Sequence, residues 1–297
     1  MSDYRSADTP WFPAQEDVFA KHFGPSPPRV DVRVAAQSHR GRVRPNNEDH
    51  FVVIERHRGR TVLMSNLPAG YLKSVDDVAY VMAVADGIGG AAFGELASML
   101  ALRSAWEQAP SSIKWTWIVT PAEIADLKER IELVFQRMHG DLLERARQAP
   151  GYAGMGTTLT GAYTVGLDAF IAHVGDSRAY RFHAGKLARL TRDHTKAQAY
   201  LDAGLPVAHQ SWYHTLTNCL GGNEVPIVVD FHHVHLAAGD QLLLCTDGLT
   251  DEMADEEIEA ILCRGTPPAE AVQALVALAL DRGGRDNVTA ILARYET

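Results

Sequence analysis

Residues 80–90 read Tyr80-Val81-Met82-Ala83-Val84-Ala85-Asp86-Gly87-Ile88-Gly89-Gly90. An apolar run of strand length ends on a carboxylate and passes straight into glycines. The pattern returns at 241–248, where Leu242 to Thr246 lead to Asp247 and Gly248. Two more runs of aliphatic and β-branched residues, FIAHVGDSRAY (170–180) and NVTAILARY (287–295), also read as buried strands. Asp176 lies within the first and Asp286 just before the second. Asn46-Asn47-Glu48-Asp49 stands before Phe51-Val52-Val53-Ile54 in the same way.

A buried carboxylate needs hydrogen bonds, a counter-charge or a metal. Taken singly, each of these aspartates is most simply a turn or capping residue, and Asp-Gly is common hairpin chemistry. Asp49, Asp86, Asp176, Asp247 and Asp286 together are harder to reduce to turns. Oxygen donors without a Cys pair or zinc-spaced histidines suit hard cations, Mg²⁺ or Mn²⁺. Such ions, bound as a pair, activate water for in-line displacement at phosphorus.

Helical segments separate the strands. Thr120-Pro121-Ala122-Glu123 predicts an N-cap, a proline in the first turn and a capping-box glutamate. Behind it Ile124, Leu127, Ile131, Phe135, Met138 and Leu142 form one apolar stripe. Thr266-Pro267 predicts a second start, ahead of Val272, Leu275 and Ala279. The stretch 94–106 is a third helix, with Met99, Leu102 and Trp106 expected in the core. Strands mixed with long helices indicate an α+β class, although periodicity does not choose the topology.

The remaining signals are bland. Trp115 and Trp117 read as packing residues, and His232, His233 and His235 as solvent-facing strand positions. Ser177 lacks a nucleophile elbow, and Cys245 sits inside an apolar strand where a thiolate is disfavoured. The 297 residues are 46% hydrophobic, enough for a core and too many for a disordered chain. Lys plus Arg number 28 against 37 Asp plus Glu, and the net charge of −9 argues against nucleic acid and anionic membranes. Cys219, Cys245 and Cys263 form no Cys-x-x-Cys pair, and no apolar run has signal-peptide or bilayer length. A reduced, cytoplasmic protein is expected. Prolines 10, 13, 25, 27 and 28 mark residues 1–30 as an arm, with a short amphipathic piece at Val18, Phe19, His22 and Phe23. Residues 31–297 are expected to form one domain.

The ordered motifs resemble those of the metal-dependent PPM (type 2C) protein serine/threonine phosphatases, in their bacterial style. They are Gly41 to Asp49, Val84 to Gly90, Gly154 to Leu159, His173 to Arg178, Cys245 to Leu249 and Arg285 to Thr289. The resemblance spans roughly residues 31–295. It implies a β-sandwich of two antiparallel sheets flanked by α-helices, with metals at one end. It further implies hydrolysis of phosphoserine and phosphothreonine in proteins by direct attack of a metal-bound water. Asp86 and the Gly87 carbonyl would hold two Mn²⁺ or Mg²⁺ ions, with Asp86 bridging them. Asp247 and Asp286 would ligate one, Asp49 would act on the other through water, and Asp176 with Asp247 would hold a third, weaker ion. Arg44 would grip the substrate phosphate, and Asn287 would support Asp286. Implied partners are phosphorylated proteins, a Ser/Thr kinase and its targets among them. His39 stands where the family usually has aspartate, and Ile88 where eukaryotic members often have histidine. An insertion at about 57–78 and a short flap, from Asp193-His194-Thr195 through Trp212 and Tyr213 to Glu224, are where substrates would be discriminated. A catalytically silent, phosphoprotein-binding homologue would show replaced metal-site acids, and none is replaced.

Overall fold

The structure, a computed structural model, describes residues 30–60, 64, 75–89, 93–112, 120–148 and 150–296. Residues 1–29 of the expected arm with its amphipathic piece, Gly90, Trp115 and Trp117, and residues 61–63 and 65–74 of the expected insertion lie outside the described residues. Strands β1 (Asp31–His39), β2 (Asp49–Arg60) and β3 (Val75–Ile88) precede helices α1 (Phe93–Ser112) and α2 (Pro121–Arg147). Then come β4 (Gly156–Thr157), β5 (Leu159–Val165), β6 (Asp168–Val174), β7 (Arg178–His183) and β8 (Lys186–Arg189). Helix α3 (Lys196–Asp202) leads to β9 (Leu220–Gly221), β10 (Asp230–His235) and β11 (Gln241–Cys245). A single turn, α4 (Asp247–Thr250), is followed by α5 (Asp255–Leu262), α6 (Pro268–Asp281) and β12 (Val288–Glu296).

Two antiparallel sheets result. One has the order β1-β12-β11-β7-β8; the other runs β10-β6-β5-β3-β4-β9, with β2 also paired to β3. Successive strand side chains point to opposite faces, and here both faces are covered. Met82, Val84, Ile171, Leu242, Leu244, Ile291 and Tyr295 fill the space between the sheets. Their alternates Ala83, Ala85, Leu159 and Val174 pack outward on Ala97, Ala101, Phe135, Met138 and Leu142 of α1 and α2. On the other side Leu243, Ala290 and Leu292 meet Ile258, Ile261, Val272, Leu275 and Ala279 of α5 and α6. That double burial is why the strands read as continuous apolar runs. The expected helix–sheet–sheet–helix architecture holds.

Details differ from the sequence reading. FIAHVGDSRAY is not one strand: β6 ends at Val174 and β7 begins at Arg178 in the opposite sheet. The chain crosses at Gly175-Asp176-Ser177, where Gly175 has φ +116° and a Cβ would stand 2.5 Å from the Thr158 side chain. Met99 and Trp106 are exposed, at 48% and 57%. Leu102 is buried as expected, and the rest of the α1 core face is Ala97, Ser98 and Ala101, small residues that let the helix lie close to Ala83 and Ala85. The α2 cap is as expected, Thr120 and Glu123 forming a capping box. For α6 the cap is Pro267 rather than Thr266, with Pro268 in the first turn. The flanks of the expected insertion continue the β2–β3 ladder as far as Arg60 opposite Val75.

Candidate metal centre

Five carboxylates meet at one end of the sandwich, each brought by a different strand end. Asp49 opens β2 directly across from Asp86 in β3. Asp176 lies in the crossing between β6 and β7, Asp247 starts α4 one residue after the Thr246 cap, and Asp286 precedes β12. Strand β3 continues past Asp86 through Gly87 to Ile88, so the turn expected at Gly87 falls later, at Gly89 with φ +125°. Gly87 is required for space: a Cβ there would lie 2.1 Å from the Gly94 carbonyl oxygen at the start of α1.

Backbone and hydroxyl groups hold these residues while leaving carboxylate oxygens bare. The Asp86 N–H donates to Thr158 Oγ1 at 3.0 Å, and its carbonyl accepts from the Thr158 N–H at 2.9 Å and Thr157 Oγ1 at 2.8 Å. Thr246 Oγ1 donates to Asp49 Oδ2 at 2.7 Å. Asp49 Oδ1 and Asp247 Oδ1 are buried with no hydrogen-bond partner. Asp286 accepts from Arg44 Nη2 at 2.7 Å and from the Asn287 N–H at 2.8 Å. Asn287 clamps the first motif: its Oδ1 accepts from the Glu48 N–H at 2.7 Å, and its Nδ2 donates to the Arg40 and Asn46 carbonyls, both at 2.8 Å.

Burial and mutual repulsion dominate the electrostatics. Burial, then the neighbouring charges of Asp247 and Asp286, push Asp49 up to about 7 despite its hydroxyl bonds to Thr246 and Thr289. Burial with Asp251 and Asp286 pushes Asp247 up to about 6. Asp86 and Asp176 are raised well above the usual carboxylate range, by burial first and by the surrounding aspartates second. Arg44 pairs with Asp286 and is 56% exposed, while Arg178 is committed to Asp193 at 2.8 Å. Carboxylates this close cannot all be ionised without added positive charge. All-oxygen donors, two of them bare and buried, fit hard divalent cations.

The structure thus gathers Arg44, Asp49, Asp86, Gly87, Asp176, Asp247 and Asp286 in one place. His39 only accepts a hydrogen bond from the Gly41 N–H, at 2.9 Å. Ser177 is buried against Thr158, and burial pushes the Cys245 thiol up to about 12, so neither is a nucleophile. His232, His233 and His235 lie exposed on β10, with His233 and His235 both reaching Asp168. The sequence reading missed Thr158 and Thr246, which orient the acids, and Asp251 and His214, which stand beside Asp247. Asp251, four residues after Asp247 on a helical turn, was discoverable from spacing. His214 was not, because a separate loop carries it.

Residues 69–289 match the family described as protein phosphatase 2C. The chain belongs to the protein phosphatase 2C family. Serine/threonine protein phosphatase PstP of Mycobacterium tuberculosis is 32% identical over 269 residues, covering 88% of this chain and 45% of that protein. This family member therefore spans about half the length of that relative. Serine/threonine phosphatase stp of Listeria monocytogenes is 30% identical over 263 residues, covering 86% of this chain and 93% of the relative. The crystal structure of the PstP catalytic domain in complex with two manganese ions superposes with a TM-score of 0.68 at 30% identity, covering 91% of this chain and all of that one. In this phosphatase 2C family member, as the resemblance implied, the fold is two packed sheets between helices. Among its described residues, no helix is long and apolar enough to cross a membrane.

Proposed function

We propose that the chain hydrolyses phosphoserine and phosphothreonine in proteins with Mn²⁺ or Mg²⁺ as cofactor. The observation that carries this is the convergence of Asp49, Asp86, Asp176, Asp247 and Asp286 on one patch, with partly exposed Arg44 beside them. The names of the relatives support the substrate class, and the manganese in the PstP structure supports the metal. In this reading Asp86 and the Gly87 carbonyl would help to hold two ions. Asp49, Asp247 and Asp286 would complete the pair's donor set, and Asp176 with Asp247 would hold a third, weaker ion. When bound, the cations supply positive charge to the phosphate and acidify the attacking water.

The chain's own groups do the positioning. Thr158 fixes the Asp86 backbone from both sides, and Thr246 holds one oxygen of Asp49, leaving the other buried without a hydrogen-bond partner. Asn287 ties the Arg40–Glu48 loop to β12, so that Arg44 and Asp49 ride on one braced segment. The exposed Arg44–Asp286 pair contributes little stability and exchanges readily. With Asp286 serving as a metal ligand, the planar Arg44 guanidinium would be available for two phosphate oxygens. Residues 31–297 would be the catalytic domain behind an arm at 1–30. It would act in cytoplasmic signalling on a Ser/Thr kinase and that kinase's targets.

The test is hydrolysis of an aryl phosphate and of a phosphothreonine peptide with added Mn²⁺, repeated with chelator. Turnover that needs the metal is expected with both substrates. Metal-independent turnover, or none with any divalent ion, would refute the reading.

A further inference from the structure

Strand β10 lies at the edge of its sheet, paired only with β6 among the described residues. Side chains alternate along a strand, so Phe231, His233 and His235 share one face of β10. The antiparallel register sets His235 directly across from Asp168, the first residue of β6, and His233 across from Phe170. Ring stacking holds one of the imidazoles. His233 lies 4.8 Å from Phe170 and within 16° of parallel to it, and Phe170 stacks in turn on Phe231 at 6.2 Å.

Both imidazoles reach the same oxygen. His233 Nε2 stands 2.8 Å from Asp168 Oδ1, and His235 Nδ1 stands 3.2 Å from it. Opposite and diagonal neighbours on one sheet face lie within reach of each other, and that is what gathers the three side chains. The His235 side chain is 69% exposed and that of Asp168 23%, so water has access and the His235 ring has room to turn. Strand β6 runs from Asp168 to Val174, which puts roughly 20 Å of strand between this patch and the crossing that carries Asp176. The donors differ in kind as well. The carboxylate cluster offers oxygen, and this patch offers mainly nitrogen.

We propose that His233, His235 and Asp168 form a separate Zn²⁺ site that clips the edge strand β10 to β6. Two imidazoles and a carboxylate make a three-ligand zinc set and leave a fourth position to water. With neutral imidazoles the set carries the single negative charge of Asp168, which suits a divalent cation. Imidazole favours Zn²⁺, whereas Mg²⁺ keeps to oxygen donors. Moving the two nitrogens from a shared oxygen onto a shared ion takes a swing of the exposed His235 ring, while Phe170 already orients His233. A strand edge is a template for pairing with another chain, and an ion fastened across β10 and β6 holds that edge in register. The site stands apart from the proposed phosphatase chemistry and does not depend on it.

The test uses the whole chain in excess Mg²⁺, which competes at oxygen sites and leaves imidazole sites open. Wild type, His233→Ala, His235→Ala and the control His232→Ala are compared by equilibrium dialysis of Zn²⁺ and by amide hydrogen exchange over residues 230–236. Wild type and His232→Ala are expected to hold a Zn²⁺ ion that the other two variants bind about tenfold or more weakly, since even a residue that only supports a metal ligand is worth that much. Zn²⁺ should slow exchange over 230–236 in wild type and His232→Ala alone. With Cu²⁺ as the probe, electron paramagnetic resonance should show nitrogen splitting in wild type that is reduced in His235→Ala. If loss of the stacked ring unfolds His233→Ala, the exposed His235 position decides the matter by itself. Equal Zn²⁺ affinity in wild type and His235→Ala, or strand protection that survives that substitution, would overturn the site. A wild type that binds no Zn²⁺ in excess Mg²⁺ would overturn it too, and each of these results leaves the carboxylate cluster and its proposed function standing.

Discussion

Strand β11 carries an aspartate at each end, Asp240 just before it and Asp247 just after, and the two are treated in opposite ways. Asp240 is 2% exposed, and both its oxygens are occupied. Arg181 Nε donates at 2.7 Å, the Ala237 N–H at 2.9 Å and His183 Nδ1 at 2.6 Å. Burial alone would raise its pKa, but these donors outweigh burial and hold it below the usual range. Asp247 has a bare buried oxygen and two further aspartates, Asp251 and Asp286, beside it, and is pushed up to about 6. One end of the sandwich is a finished ion-pair network. The other, with the same residue type, is a set of donors short of positive charge. An acid that the protein satisfies by itself is structural, and one that it leaves wanting is a candidate ligand.

The comparison can be broken most forcefully at Asp247. Asp247→Asn should lower turnover by about a thousandfold or more, since it removes a ligand from the charge that stabilises the transition state. Its metal-free form should melt no lower than the wild type, because an unsatisfied charge has gone. A steady-state assay and a melt in chelator check both halves. Asp240→Ala should do the reverse, costing about 2–4 kcal/mol of stability through loss of a buried ion-pair partner. Turnover per folded molecule should hardly change, which denaturant titration and the same assay would show.

The pH dependence sharpens the contrast further. Asp49 at about 7 and Asp247 at about 6 are raised above the unfolded value, so between about pH 4 and 7 the native state keeps protons that the unfolded chain has released. Their contribution is present below that window and lost through it, so metal-free protein should melt several degrees lower at pH 8 than at pH 5. Asp240 is depressed, and its contribution is lost only as pH falls below the ordinary aspartate range. Saturating Mn²⁺ should abolish or invert the first slope, because the metal replaces the protons. A metal-free melting curve that rises from pH 5 to 8 would contradict the idea of an unsatisfied cluster. The smallest effect is expected for Arg44→Ala, which should raise KM about tenfold with a lesser change in kcat, as loss of ground-state phosphate binding.

The carboxylates at Asp86 and Asp247 were legible because an apolar run that ends on an acid and a glycine is unusual locally, and nothing distant is needed to notice it. Strand content was legible for the same reason. The FIAHVGDSRAY run was misread as continuous, since both halves are buried and a sheet change at Gly175 leaves the apolar pattern intact. The α1 stripe was read correctly only at Leu102: Met99 and Trp106 are apolar yet exposed, while the rest of the buried face is made of small residues with weak hydrophobic signals. Thr158 and Thr246 lie inside motifs, but nothing in the sequence showed which acids they hold, and His214 carried no signal. Each acts on an acid 33 or more positions away in the chain, except that Thr246 is also the neighbour of Asp247.

Sequence alone thus determined the inventory: which strands are buried on both faces, which acids close them, and an acid excess with no basic run to neutralise it. Only the tertiary structure decided which acids lack partners. Asp240 and Asp247 follow from local sequence equally well as buried strand-end aspartates. Arg181 and His183 on β7 meet the first, and Asp251 and Asp286 crowd the second. Burial and pairing are long-range properties, set by which strands lie side by side, and they separate a stabilising carboxylate from one that calls for a cation.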